Sequence, residues 1–325
     1  MRFLHYLGLI LLILLIYEAG PRNLWAISRR AHWGWLLLAW ALNLPQLGLK
    51  AYRWYLNVNW QQIKLSYPRA FLAYFSSLLV GFLTPGRVGE MAKVFTLKYE
   101  CGVPLARGMS SVVLDRVFDL YLLLALGALG FMRYSILGTL LSWRALALLA
   151  LLFLIPLFFL HAPTVRRLGG WAARLPLFDK RAAQIEEKAG QFADGLAVFN
   201  TPRVLICVLL TVASYFIYFV QCLMCARALN FTTPYFDMVF LMAATNLMTF
   251  IPISISGLGT RELCLTYFLG QIFTAMPKAE VQSLAVAFGL TIFAVFFVGG
   301  GLIGYVCWHW APIGLRTAVR DVRNR

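Results

Sequence analysis

The runs 203–226 and 281–308 are almost unbroken in apolar side chains, the second ending in TIFAVFFVGGGLIGYVCW. About 20 such residues are what a helix needs to cross the hydrocarbon of a bilayer. No water reaches the backbone there, so only helices and closed barrels can span it. Barrel strands are short and alternate in polarity, which these runs do not. The chain therefore reads as an all-α polytopic membrane protein. Of its 325 residues 61% are hydrophobic and 13% charged, more apolar surface than a soluble domain of this size could cover.

Six spanning helices are expected, at about 3–19, 33–50, 109–132, 144–161, 203–226 and 281–308. The first has the look of a signal peptide, but no small-residue cleavage site follows, so a retained helix is expected. Two further apolar segments, 70–83 and 237–253, are broken by Pro and Gly and followed by a second short segment. They read as re-entrant hairpins, or pairs of short broken helices.

The net charge of +16 would suggest nucleic acid in a soluble protein. In a membrane protein it reflects the gathering of Lys and Arg in cytoplasmic loops, which face anionic headgroups. With the N-terminus inside, segments 1–2, 50–107, 161–203 and 309–325 hold 20 Lys and Arg. Segments 17–32, 133–144 and 227–280, outside, hold 8. The expected location is the bacterial inner membrane, multi-pass, with both termini cytoplasmic. The polar stretch 162–202 reads as a cytoplasmic connector whose later part is an amphipathic helix on the membrane surface.

That connector divides one transmembrane domain, 1–325, into related halves, 33–132 and 203–308. A shift of about 172 residues maps helix, broken segment and helix of the first onto the second, and Glu90 onto Glu262. Thr84–Glu90 is TPGRVGE, and Ile251–Glu262 is IPISISGLGTRE. Under the charge-derived topology the halves are an inverted repeat, in which broken helices meet near the midplane at a substrate site.

Candidate binding residues follow from chemistry. Gly86, Gly89, Gly257 and Gly259 let backbone approach a ligand, and N–H groups at the following helix starts would hold an anion. Arg87 and Arg261 add phosphate contacts, while Glu90 and Glu262 balance charge, bind a cation or accept a positive group. Asp115, Arg116 and Asp119 share a face of the helix 109–132, where charges cost about 2.5 kcal/mol or more each unless paired. They read equally as a structural ion cluster or as the lining of a headgroup path.

Arg53 and Arg227 end corresponding helices and read as interfacial anchors. Gly300-x-x-x-Gly304 reads as close helix packing. The six cysteines, Cys222-x-x-Cys225 included, read as buried and inert.

TPGRVGEMAKVFTLK, then GVPLARGMSSVVLDRVFDL, then ISGLGTRELCL, carry a resemblance to the lysylphosphatidylglycerol synthase transmembrane-region family of flippase-like integral membrane proteins. The resemblance covers nearly the whole chain. It implies a protein that moves a lipid, or a lipid-linked headgroup, between leaflets, and by carry-over it implies Arg87, Glu90, Arg116, Asp119, Arg261 and Glu262 as functional residues. In two-domain relatives this region is a flippase joined to a cytosolic synthase domain. The chain here ends at Arg325 after a basic tail, so a transport region alone is expected.

The expectation is thus a flippase and no enzyme, with no cofactor and no metal. Its partners would be an anionic or aminoacylated phospholipid or a polyprenyl-linked lipid, with a homodimer left open. The alternatives are a membrane-embedded transferase acting on a lipid carrier and a recruiting scaffold. Against the first, His5, His32, His161 and His309 show no ligand spacing and no nucleotide loop is present.

Overall fold

Pro45 has no N–H to give to the carbonyl four residues back, and its ring crowds that carbonyl. The run expected as one span at 33–50 accordingly breaks at Leu42, into α2 (Trp33–Ala41) and α3 (Asn43–Trp60). This is seen in a computed structural model that describes residues 12–82, 84–133, 154, 161–174, 181–198, 201–249 and 257–310. Residues 12–19 are helical and precede α1 (Pro21–Arg29). The start of the expected first span and nearly all of the expected span 144–161 lie outside the described residues.

Both interrupted segments are pairs of helices. The first is α4 (Tyr67–Phe82), a 3₁₀ segment (Pro85–Ala92) and α5 (Lys93–Cys101). The Thr84 hydroxyl accepts from the Gly89 amide at 2.8 Å and staples the 3₁₀ turn. The long α6 (Leu105–Arg133) follows. The second half has α9 (Thr201–Ala228), the broken pair α10 (Tyr235–Thr249) and α11 (Thr260–Ile272), then α12 (Lys278–Ile292), a π-helical segment (Phe293–Val298) and α13 (Gly299–His309). Among the described residues every regular element is helical. Among the described residues two helices, Thr201–Ala228 and Lys278–His309 taken through the π segment, are long and apolar enough to cross a membrane singly.

The connector, expected to carry an amphipathic helix, holds two helices among the described residues. It is a hairpin of α7 (Ala162–Ala173) and α8 (Ala182–Leu196) closed at Gly169, where a Cβ would lie 2.3 Å from that of Ala189. α8 then packs on the start of α6, with Gly195 against the Ser110 hydroxyl. Ala193, Gly195 and Leu196 at the end of α8 are buried.

The two halves lean on each other reciprocally. α4 of the first packs along α13 of the second, and α10 of the second packs along α6 of the first. Glycines permit both approaches: Gly304 abuts the Phe75 carbonyl, while Gly127 and Gly130 abut Leu247 and Phe240. α3 and α9 pack together between them. Apolar side chains form one cluster centred on α9 to α12 and another centred on α3 and α4, with Phe82 packed against both.

A Cβ on Gly304 would stand 2.7 Å from the Phe75 carbonyl oxygen, whereas one on Gly34 meets nothing within 4 Å. Gly304→Val should therefore cost about 1–3 kcal/mol of stability. Its Tm in detergent should fall, while Gly34→Ala should leave the Tm unchanged or raised. Equal Tm for the two variants would contradict this packing.

Candidate functional site

Polar residues recur on α3 at Asn43, Gln46, Lys50, Arg53 and Asn57, steps of three and four that put them on one face. That face is turned inward: Asn43, Gln46, Arg53 and Asn57 are buried. α9 behaves the same way. Cys207, Thr211, Ser214, Tyr218 and Gln221 are buried, while Leu205, Leu209, Val212 and Phe216 are exposed. Polar inside and apolar outside is the inverse of a soluble helix and suits a hydrocarbon solvent.

Where these faces meet α6 lies a buried ion network. Arg53 is 0% exposed. Its Nε and Nη2 donate to Asp115 Oδ1 at 2.9 and 2.7 Å, and Nη2 also reaches the Asp115 carbonyl at 2.9 Å. Nη2 stands 2.9 Å from Asp119 Oδ1, and Nη1 donates to the Thr211 hydroxyl on α9. Lys93 donates to Asp115 Oδ2 at 2.8 Å and lies 4.2 Å from the centre of the Tyr74 ring. Lys50 donates to Asp119 Oδ2 at 2.9 Å, against the Tyr215 ring. Arg53 is thus an internal tie between three helices, not the interfacial anchor its sequence position suggests. Its three-residue spacing from Lys50 faces the four-residue spacing of Asp115 and Asp119 across the interface. Arg227 lies 5.4 Å from the Trp35 ring at the last turn of α9.

Arg116, on the same helix as the aspartates, also reaches across to another element. It forms an ion pair with the buried Glu90 of the 3₁₀ segment, so α6 is tied to the first broken helix. Gly81 leaves the space that Glu90 fills, since a Cβ there would lie 2.3 Å from Glu90 Cγ. Gly86 and Arg87 belong to the same segment, but the Arg87 side chain lies outside the described residues.

In the second broken helix Gly257 and Gly259 hold φ of +78° and +83°, a region other residues enter only with strain. Gly259 caps α11, and its N–H donates to Glu262 Oε2 at 2.7 Å. The amide expected to hold an anion is therefore already taken by the chain's own carboxylate, as the Gly89 amide is by Thr84. Arg261 Nε donates to Glu262 Oε1 at 3.0 Å, and its guanidinium lies 5.8 and 5.7 Å from the Phe293 and Phe297 ring centres.

These parts surround one cavity. Gln46 and Lys50 of α3, Arg116 and Asp119 of α6, and Arg261 of α11 reach its wall. Tyr218 of α9 and Phe297 of the π segment complete it. The π turn frees the Val295 carbonyl, which accepts from Asn43 Nδ2 at 2.8 Å. The space open to water-sized groups is about 90 Å³, room for a few waters. Of the residues expected from sequence, Arg116, Asp119 and Arg261 line the cavity, and Glu90 and Glu262 stand behind it as partners. Lys50, Arg53 and Lys93 were missed. The described histidines stay apart: His32 bonds Asn230, His161 bonds Thr164 and His309 bonds the Tyr305 carbonyl.

The family described as lysylphosphatidylglycerol synthase TM region matches residues 3–300, and the chain belongs to it. It is thus a membrane protein of a lipid-handling family. Neither a curated protein nor a solved structure matches the chain.

Asp115 holds two buried cations, so Asp115→Asn should lose about 3–5 kcal/mol. Denaturant unfolding in bicelles measures this. Adding Lys93→Met should restore part of the loss, because one of the stranded cations is then gone. A double variant no more stable than Asp115→Asn would contradict the pairing.

Proposed function

We propose that this member of the family is a lipid flippase, moving a phospholipid or a lipid-linked headgroup between leaflets of the inner membrane, with both termini in the cytoplasm. The observation that carries the reading is the composition of the cavity wall. Charged side chains from α3 and α6 in the first half and α11 in the second converge on it, and each comes from, or is tied to, a broken or polar-striped helix. Charges buried in a membrane protein are costly, and a solute path is the usual reason for them.

Lipid transport needs a polar route for the headgroup while the tails remain in hydrocarbon. The cavity supplies the first, and the exposed apolar faces of α9 and α13 border the second. A cavity of this size does not accept a headgroup until it widens. The reciprocal packing of α4 on α13 and α10 on α6 supports an inverted-repeat reading, in which one half rocks against the other and opens the cavity to each leaflet in turn. No bond of the substrate is made or broken in such a cycle, and the reading is of a transporter rather than an enzyme.

Glu90→Gln removes the carboxylate that engages Arg116 at the cavity edge and keeps its shape. In proteoliposomes carrying fluorescent-tailed phospholipids, wild-type protein should exchange lipid between leaflets, and Glu90→Gln should slow that exchange about tenfold or more while eluting as a folded monodisperse species. Exchange at the wild-type rate in the folded variant would sink the assignment of this cavity to the path.

A further inference from the structure

The charges around the cavity do not cancel. Among the described residues five cations belong to the network: Lys50, Arg53, Lys93, Arg116 and Arg261. Four carboxylates answer them, Glu90, Asp115, Asp119 and Glu262, which leaves one positive charge over. Every carboxylate is engaged: Asp115 by Arg53 and Lys93, Asp119 by Arg53 and Lys50, Glu90 by Arg116, and Glu262 by Arg261 and the Gly259 amide. On the cavity wall itself three cations, Lys50, Arg116 and Arg261, face one carboxylate, Asp119.

Arg261 carries a second sign of a missing partner. It is 2% exposed, yet its Nη1 has no hydrogen-bond acceptor among the described residues. A buried donor left without an acceptor is costly. The guanidinium is held in place by Glu262 on one edge and by the Phe293 and Phe297 rings. Its remaining N–H donors are therefore pre-positioned for an acceptor that is not found among the described residues.

We infer that the headgroup taken by this cavity is a net anionic phosphate, received by Arg261 together with Lys50 and Arg116, and not an aminoacylated, net cationic one. This rests on the reading of the cavity as the headgroup site and names the substrate class for it. A phosphate brings one charge of the missing sign and oxygen acceptors matched to the guanidinium fork. An aminoacyl headgroup brings extra positive charge to a wall already in positive excess, where each described carboxylate already has a cation partner. A glycerophospholipid diester and a single-chain prenyl phosphate share the required chemistry.

The test compares ligands on the wild-type protein first. Short-chain phosphatidylglycerol, lysyl-phosphatidylglycerol, phosphatidylcholine and farnesyl phosphate are titrated into the detergent-solubilised full chain by calorimetry. At least one of the two anionic ligands should bind about tenfold or more tighter than the lysyl and choline lipids, and the stronger of the two identifies the source. Arg261→Gln should weaken that binding about tenfold. Arg261→Lys, which keeps the charge and loses the fork, should fall between, and Arg227→Gln should match wild type. Lysyl-phosphatidylglycerol bound as tightly as the anionic ligands, or anionic binding indifferent to Arg261→Gln in a folded protein, overturns the inference. Should that variant not fold, the wild-type ligand order alone decides. Leaflet exchange of long-chain versions separates the two claims. Lysyl lipid exchanged as fast as the anionic lipid leaves transport standing and removes the anion preference. Anion binding that depends on Arg261 without exchange of any lipid does the reverse.

Discussion

A guanidinium with no access to solvent, held between two aspartates, is the constraint from which the rest of this structure follows. Arg53 cannot be buried alone, because an uncompensated charge in a low-dielectric interior costs several kcal/mol. It obliges α6 to present Asp115 and Asp119 one turn apart, and α9 to present Thr211. Those aspartates in turn draw in Lys93 from the start of α5 and Lys50 from the turn before Arg53. The helices are fixed by polar contacts at their centre and left apolar at the rim. That inversion fits a surrounding hydrocarbon, where burial of apolar surface gives helices little reason to associate.

The cavity sits at the edge of this network, where neutralisation is incomplete. Its first-half wall is rigidly cross-linked through Asp115 and Asp119. Its second-half wall includes Arg261, on a helix that starts after two positive-φ glycines and is capped by its own Glu262. Among the described residues the contacts that join the halves there are aromatic, glycine-mediated and hydrogen-bonded rather than ion pairs: Phe82 on Phe297, Gly304 on the backbone of α4, Asn43 on the Val295 carbonyl and Arg53 on the Thr211 hydroxyl. Packing of that kind permits one half to shift against the other without breaking a buried ion pair. The account of transport rests on this division of labour.

Much of this was legible in the sequence. The membrane class follows from the apolar runs, the two broken helices from Pro and Gly inside them, and the singling out of Glu90, Arg116, Asp119, Arg261 and Glu262, which the structure places in ion pairs at or behind the cavity, from charge where charge is costly. The break at Leu42 could have been read from Pro45, and the capped Gly259 from a Glu three residues on. Arg53 was misread because an arginine near the end of an apolar run looks like an anchor by local count. Only the polar stripe from Asn43 to Asn57 distinguishes the two, and it shows at helical period rather than residue by residue. Lys93 was counted among loop charges for the same reason. The pairing of Arg116 with Glu90 was not legible, since spacing along α6 allows Asp119 equally and only the packing of the 3₁₀ segment decides.

The central claim is that the cavity is reached from both leaflets in turn, and side-specific labelling tests it most directly. Leu47 lines the cavity, is partly buried and carries no polar group. In a background with the six native cysteines replaced, Leu47→Cys would be exposed to a membrane-impermeant maleimide in right-side-out and in inside-out vesicles. The account predicts labelling in both orientations, suppressed in each by an anionic lipid that the protein binds. Labelling from one face only would contradict it and leave the cavity as a fixed, one-sided pocket.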